Sequence, residues 1–293
     1  MYNFIMIVLE QSFIYLPLAL GAYISFSLLK VPDLSLESAY LMGGLAGTTA
    51  LSYLVGYPLG VTFVLTIIAA MCGGALVGLC SSCMTSFGKI PHLLSAIMTF
   101  GLFHGIFQFC SPAYQSLAAY DNGFMLFPYF ALYPELCALG MVGIIMTLII
   151  SYLLTTQLGY SFAIFGHNPK FFKHFGIATS YVFITGMMIS NGLAGLAGFL
   201  FAQTSNLIEL NMGIGKSLFC ITALILGRSS IASKKSSIMI PVTGVITYFA
   251  LQQMLLKIGF NLKYFTMMQS LLVLVILLMT STKNNDHHDQ LGV

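Results

Sequence analysis

The sequence predicts an all-α, polytopic membrane helix bundle, and three observations predict it. Only 6 % of the 293 residues are charged, 58 % are apolar, and the mean hydropathy is +0.93. A soluble chain of this size needs far more charge to cover its surface. The apolar residues come in continuous runs of helical length, one after another, rather than in the short alternating strands of a barrel. Those runs use up nearly the whole chain, leaving no room for a soluble domain. At roughly 20 residues per span there is space for about eight to ten transmembrane helices, with broken or re-entrant segments where polar residues interrupt them. The net charge of +3 carries no message about nucleic acid; what matters is where the cations fall.

Taken in order, the apolar runs lie at about 4–29, 38–55, 59–86, 92–110, 135–157, 179–203, 213–227, 237–256 and 264–281. The first lacks a basic leader and a small-residue cleavage site, so it is expected to stay as a helix. Val31-Pro32-Asp33-Leu34-Ser35-Leu36-Glu37-Ser38 then interrupts the pattern. Pro32 removes a backbone donor and biases Val31 away from helix. Asp33 or Ser35 can cap the helix that follows, with Glu37 in its first turn. The segment reads either as a capped loop or as a broken helix whose free backbone groups line a pathway.

Small residues recur at four-residue spacing: Gly43 and Gly47, Gly56 and Gly60, Gly74 and Gly78, Gly101 and Gly105. This spacing lets helix backbones approach closely in lipid. Cys80-Ser81-Ser82-Cys83 matches a redox or zinc pattern but lacks a second ligand pair, and reads as small residues on a helix face. With no tryptophan in the chain, interface anchoring is expected from tyrosines such as Tyr40, Tyr53 and Tyr57.

The longest basic and aromatic interruption is Gly166-His167-Asn168-Pro169-Lys170-Phe171-Phe172-Lys173-His174-Phe175-Gly176-Ile177. Its phenylalanines offer an apolar anchor, and its cations can meet acidic groups on another protein. Ser190-Asn191-Gly192 sits within the next run, where an amide bonds across helices.

Glu209-Leu210-Asn211-Met212-Gly213-Ile214-Gly215-Lys216-Ser217 ends like a phosphate-binding loop, but Leu210 stands where that motif requires its first glycine. Its glycines are read instead as a turn at the outer mouth before the chain re-enters the membrane at 213–227, a run too short to span comfortably. The tail 284–293 is polar.

Ionisable groups inside apolar runs are Glu10 and His104, with Glu135 near an end. No paired catalytic carboxylates, H-E-x-x-H pair or G-x-S-x-G elbow is present, so the chain is not expected to be an enzyme. With the N-terminus outside, inner segments hold Lys30, Lys89, Lys170, Lys173, Arg228, Lys234, Lys235 and Lys283. Outer ones hold Lys216, Lys257 and Lys263, a count of eight against three that favours N-out, C-in.

The chain resembles the permease subunits of bacterial ABC importers of the branched-chain amino-acid and ribose type, nearest to their uncharacterised or tryptophan/tyrosine-linked branch. The matching residues are Gly21-Ala22-Tyr23-Ile24-Ser25-Phe26, Pro32-Asp33-Leu34-Ser35, Gly166-His167-Asn168-Pro169 with Gly176-Ile177, Ser190-Asn191-Gly192-Leu193 and Asn211-Met212-Gly213-Ile214-Gly215. The resemblance implies a transmembrane permease domain over 1–283, homodimeric or paired. It would sit in the bacterial cytoplasmic membrane, joined to nucleotide-binding ATPase subunits and fed by an extracytoplasmic substrate-binding protein. No cofactor is expected on this chain; ATP and Mg belong to the partner ATPase.

On the same footing, residues 166–177 would be the cytoplasmic coupling helix. Asp33, Ser35, Glu37, Asn191, Asn211, Gly213 and Gly215 would flank the translocation path. Residues His167 and Pro169 to His174 depart from the family's usual acidic and small residues. An amino acid is the expected solute, with a nucleoside or sugar behind it. The alternatives are an ion-gradient-driven secondary transporter, using Glu10 or Asp33 with Glu37, and a membrane scaffold that transports nothing.

Overall fold

A computed structural model of the chain describes residues 2–111, 114–117, 134–174, 176–231 and 237–259, with positions 264, 267, 269–271 and 274. Most of the run 264–281, all of the tail 284–293 and four lysines used in the orientation count (Lys234, Lys235, Lys263, Lys283) lie outside the described residues.

Helix α1 (Tyr2–Ala22) continues into a π-helical turn, Tyr23–Leu28. Helices α2 (Ser35–Tyr53), α3 (Leu59–Ser86) and α4 (His92–Cys110) follow. Next come α5 (Pro134–Thr155), α6 (Gln157–His167), the single turn α7 (Phe171–His174) and the long α8 (Thr179–Ser205). Helices α9 (Lys216–Ser230) and α10 (Met239–Lys257) complete the described bundle. Strands β1 (Tyr114–Ser116) and β2 (Leu207–Glu209) form a small antiparallel ribbon with Gln115 opposite Ile208.

Among the described residues six helices are long and apolar enough to cross a membrane: α1 with its π turn, α3, α4, α5, α8 and α10. The helix boundaries follow the apolar runs closely. The run at 135–157 is the exception. Thr156 is extended (φ −85°, ψ 173°), and the chain restarts as α6, a helix that the hydropathy pattern does not mark.

Helix α8 is the axis of the bundle: 78 % of its most apolar stretch is buried, against 22 % for α4. Its glycines explain how so many helices reach it. Gly195 lies between Gly43 of α2 and Gly74 of α3, and Gly198 lies against the Tyr40 carbonyl, so a Cβ at any of these positions would overlap backbone. Gly21 of α1 packs on Ser190, whose hydroxyl donates to the Gly21 carbonyl at 2.8 Å. Helices α9 and α10 form a second close pair through Gly227 and Gly244. In lipid, where apolar surface alone does not drive association, such approaches supply the packing that holds helices together. Gly101 and Gly105 behave differently: nothing described lies within 4 Å of where their Cβ atoms would be.

Two helices begin inside the bundle. After the π turn the chain reverses at Lys30 (φ 56°), and by Asp33 it is already beside Asn191, well along α8. Helix α2 therefore starts beside the middle of α8, after a break in the helix at 29–34. Helix α9 starts against Glu37 and Tyr15 and, in its last turn, brings Arg228 beside Tyr23, Phe26 and Ser27. With 15 residues it is about 22 Å long, short of a ~30 Å hydrocarbon core.

Candidate functional site

The first polar cluster grows from the break before α2. Val31 donates its amide to the Ser25 carbonyl at 2.9 Å and Leu29 to Ile24 at 2.9 Å, bonds wider than α-helical ones that draw the chain out of the π turn. Insertions of this kind are common at functional positions. Pro32 then ends any helix, and Asp33 turns inward, fully buried. Its Oδ1 accepts the Ser35 amide at 2.9 Å and the Ser35 hydroxyl at 2.5 Å. This is an Asx turn that caps α2. Its Oδ2 accepts Asn191 Nδ2 at 2.9 Å, while Asn191 also donates to the Met187 carbonyl at 3.1 Å and its Oδ1 accepts the Ser35 hydroxyl at 3.2 Å. Asp33 and Ser35 from the interruption at 31–38 and Asn191 from within the run 179–203 thus form one closed network joining α2 to α8.

The second cluster joins α2 to α9. Gly215 has φ +81°, a left-handed conformation that a side chain disfavours, and this turns the chain into α9. The amides of Gly215 and Ser217 both donate to Glu37 Oε1 at 3.2 Å. A carboxylate on the unsatisfied N–H groups of a helix start is a favourable pairing. It also occupies two of the amides that a phosphate-binding loop would present. Gly213 packs against the Glu37 carbonyl. The turn Asn211–Gly215 is therefore seated on α2 on one side, while Asn211 and Ile214 are exposed on the other. Asn211 joins neither polar cluster; its carbonyl accepts the Ile214 amide within the turn.

Lys216 is not the outer-loop cation that the sequence suggested. Its side chain is half-buried inside an aromatic cluster, with Nζ donating to the Tyr15 hydroxyl at 2.9 Å. The ammonium lies 4.6 Å from the Tyr15 ring centroid and 5.4 Å from those of Tyr40 and Phe201. Tyr40, expected at an interface, is fully buried here, whereas Tyr53 and Tyr57 are exposed at the far end of α2. Beside Lys216 is a cavity of about 180 Å³ lined by Tyr15, Phe219, Tyr248, Phe249, Gln252 and Gln269 among others. Sequence reasoning missed Lys216 and Tyr15 as a pair. The available signal was a lysine opening an apolar run too short to span.

The basic segment lies at the other end of the bundle. Gly166 packs on the Leu28 carbonyl, and Lys30 Nζ is 3.2 Å from His167 Nδ1, so the segment rests on the loop that leads to Asp33. Asn168 Oδ1 accepts the Lys170 amide at 3.2 Å, and the Asn168 carbonyl accepts Phe171. Asn168, Pro169, Lys170 and Phe171 are exposed, and the segment closes at Gly176 (φ +68°). Phe172 is not an outward anchor: it is 2 % exposed and pins the segment to the chain's own body. The side chains of Lys173 and His174 and all of Phe175 lie outside the described residues. Only four residues of 166–177, those of α7, are helical beyond the end of α6. Cys80 and Cys83 are free thiols within α3.

Comparison with known proteins bears on this geometry. The family described as branched-chain amino acid transport system / permease component matches residues 4–278. A tyrosine transport system permease protein of Clostridioides difficile is 33 % identical over 221 residues, covering 75 % of this chain and 71 % of the relative. An uncharacterised protein of Rickettsia prowazekii is 28 % identical over 271 residues, covering 88 % and 91 %. An autoinducer 2 import system permease protein of Photorhabdus laumondii is 26 % identical over 195 residues, covering 65 % and 57 %. No solved structure matches the chain. With a match running through both polar clusters and the basic segment, the chain belongs to the permease-component family of ABC-type branched-chain amino-acid transport systems.

Proposed function

We propose that this chain is the membrane subunit of an ATP-driven importer that moves a small solute, an amino acid, into the cytoplasm. In this reading it lies in a bacterial cytoplasmic membrane with its N-terminus outside and its C-terminus inside. It works paired with a second permease, with ATPase subunits on segment 166–177 and a substrate-binding protein on the opposite face. The tyrosine transport relative supports an amino-acid solute; the autoinducer 2 relative keeps a sugar-like solute as the second choice.

The observation that carries the reading is the mechanical continuity from the basic segment to the buried network. Gly166 and His167 bear on Leu28 and Lys30, and three residues later Asp33 holds α2 to α8. A push on the exposed Pro169–Lys170–Phe171 corner therefore reaches the start of a broken helix. Broken helices that meet at depth are the usual site of substrate passage in transporters.

The test is uptake by proteoliposomes that contain the chain with its ATPase and binding-protein partners. Lys170→Glu is expected to cut ATP-dependent uptake about fivefold, the effect of losing roughly 1 kcal/mol of docking energy at an exposed charge, with membrane insertion unchanged. Uptake by the purified chain without any ATPase would instead establish an ion-gradient carrier built on the half-buried Glu10, or on the buried Asp33 with Glu37.

A further inference from the structure

We propose that the cavity between α1, α9 and α10 is a passage subsite for a zwitterionic α-amino acid, with Lys216 receiving its carboxylate. This deepens the importer reading and rests on it.

The cavity brings together three chemistries in one place. The first is a cation with no directly ion-paired carboxylate among the described residues. Among the described residues the polar contact of Lys216 Nζ is the Tyr15 hydroxyl, a neutral group, and the other close neighbours are ring faces. Glu37 is near, but its Oε1 already holds two backbone amides of α9. An ammonium kept within a membrane bundle without an ion-paired carboxylate is costly, and such groups mark ligand or ion pathways. Ring faces stabilise the cation between passages without satisfying its remaining donors.

The second chemistry is an unsatisfied acceptor. Gln252 lines the same cavity, and its Oε1 is buried with no hydrogen-bond partner among the described residues. A buried amide oxygen left open costs free energy that a bound ammonium would recover. Lys216 and Gln252 thus offer complementary groups to one small molecule, a donor for its carboxylate and an acceptor for its amino group.

The third is an aromatic wall. Phe219, Tyr248 and Phe249 pack edge-to-face and tilted, with centroids 4.7 to 5.6 Å apart, and present rings to the cavity. They suit an apolar or aromatic side chain. At about 180 Å³ the space is large enough to admit one amino acid.

The experiment uses the full chain in nanodiscs and saturation-transfer NMR with four probes: L-tyrosine, L-leucine and their decarboxylated counterparts tyramine and isoamylamine. At least one of the two amino acids is expected to give saturation transfer, and its amine counterpart at least tenfold less. Lys216→Met should lower the amino-acid signal at least tenfold, Lys216→Arg should keep it, and Gln252→Leu should lower it severalfold. Elution as a single species confirms that each variant is folded; should Lys216→Met misfold, Gln252→Leu and the amine comparison decide.

Equal signals from acid and amine, silence from both amino acids, or indifference to Lys216→Met and Gln252→Leu would overturn the subsite. Failure here leaves the importer reading standing if uptake still requires the ATPase. Uptake that needs no ATPase removes that reading instead.

Discussion

Asp33 meets its hydrogen-bond needs wholly from inside the protein, through Ser35 and Asn191, and that makes it the residue on which α2 hangs. A buried carboxyl group deprived of a donor keeps its desolvation cost and loses the compensation. Asn191→Leu should therefore destabilise the protein by about 3 kcal/mol, and Ser35→Ala by about half that, because the Ser35 amide still reaches Oδ1. Thermal unfolding of the detergent-solubilised chain would rank them, and a neutral Asn191→Leu would mean that the helix start is held by something else. These three residues were legible in the sequence because polar groups stand out against apolar runs. Their mutual contact was not, because the pattern fixes no pairing between residues separated by more than 150 positions. Lys216 shows the complementary failure: a charge at the edge of an apolar run looks like a loop residue until the aromatic rings that enclose it are placed around it.

At the scale of elements, the glycine spacing read from the sequence proved to be used on one helix face and left open on another. Gly43, Gly74 and Gly78 meet backbone, while Gly101 and Gly105 meet nothing described. Spacing alone marks a smooth face; only the fold says whether a neighbour takes it. Segment 166–177 teaches a similar lesson. Its composition suggested a row of outward phenylalanines, but α7 is one turn long, too short for periodicity to tell Phe171 from Phe172. The structure separates them: 39 % exposed against 2 %. Phe172→Ala is expected to cost about 3 to 5 kcal/mol of stability, as a buried ring does, and Phe171→Ala less than 1 kcal/mol. Differential scanning of the two variants tests this, and equal losses would contradict the placement. Helix α6 escaped the sequence because its polar and apolar residues are mixed; its break at Thr156 comes within an apolar run.

For the molecule as a whole, the bundle sorts its loops onto two ends. Lys30 meets His167 at one, and the Tyr114–Ser116 ribbon pairs with Leu207–Glu209 at the other, with Leu117 donating to Asn206 at 2.9 Å. Lys30 and the basic segment, grouped on one side by the positive-charge count, share an end here. In a variant lacking the native cysteines, Asn206→Cys should react with an impermeant maleimide on intact cells, and Lys170→Cys only after permeabilisation. The reverse pattern would invert the assignment. The half-depth start of α9 bears on biogenesis as well as transport. A segment of its length leaves the ribosome unable to hold itself across the bilayer, and its first amides find their acceptor only on Glu37, made far earlier. Its insertion must wait for an already assembled α1–α2–α8 platform, so nascent chains arrested between α9 and α10 would remain dependent on the translocon or its chaperones.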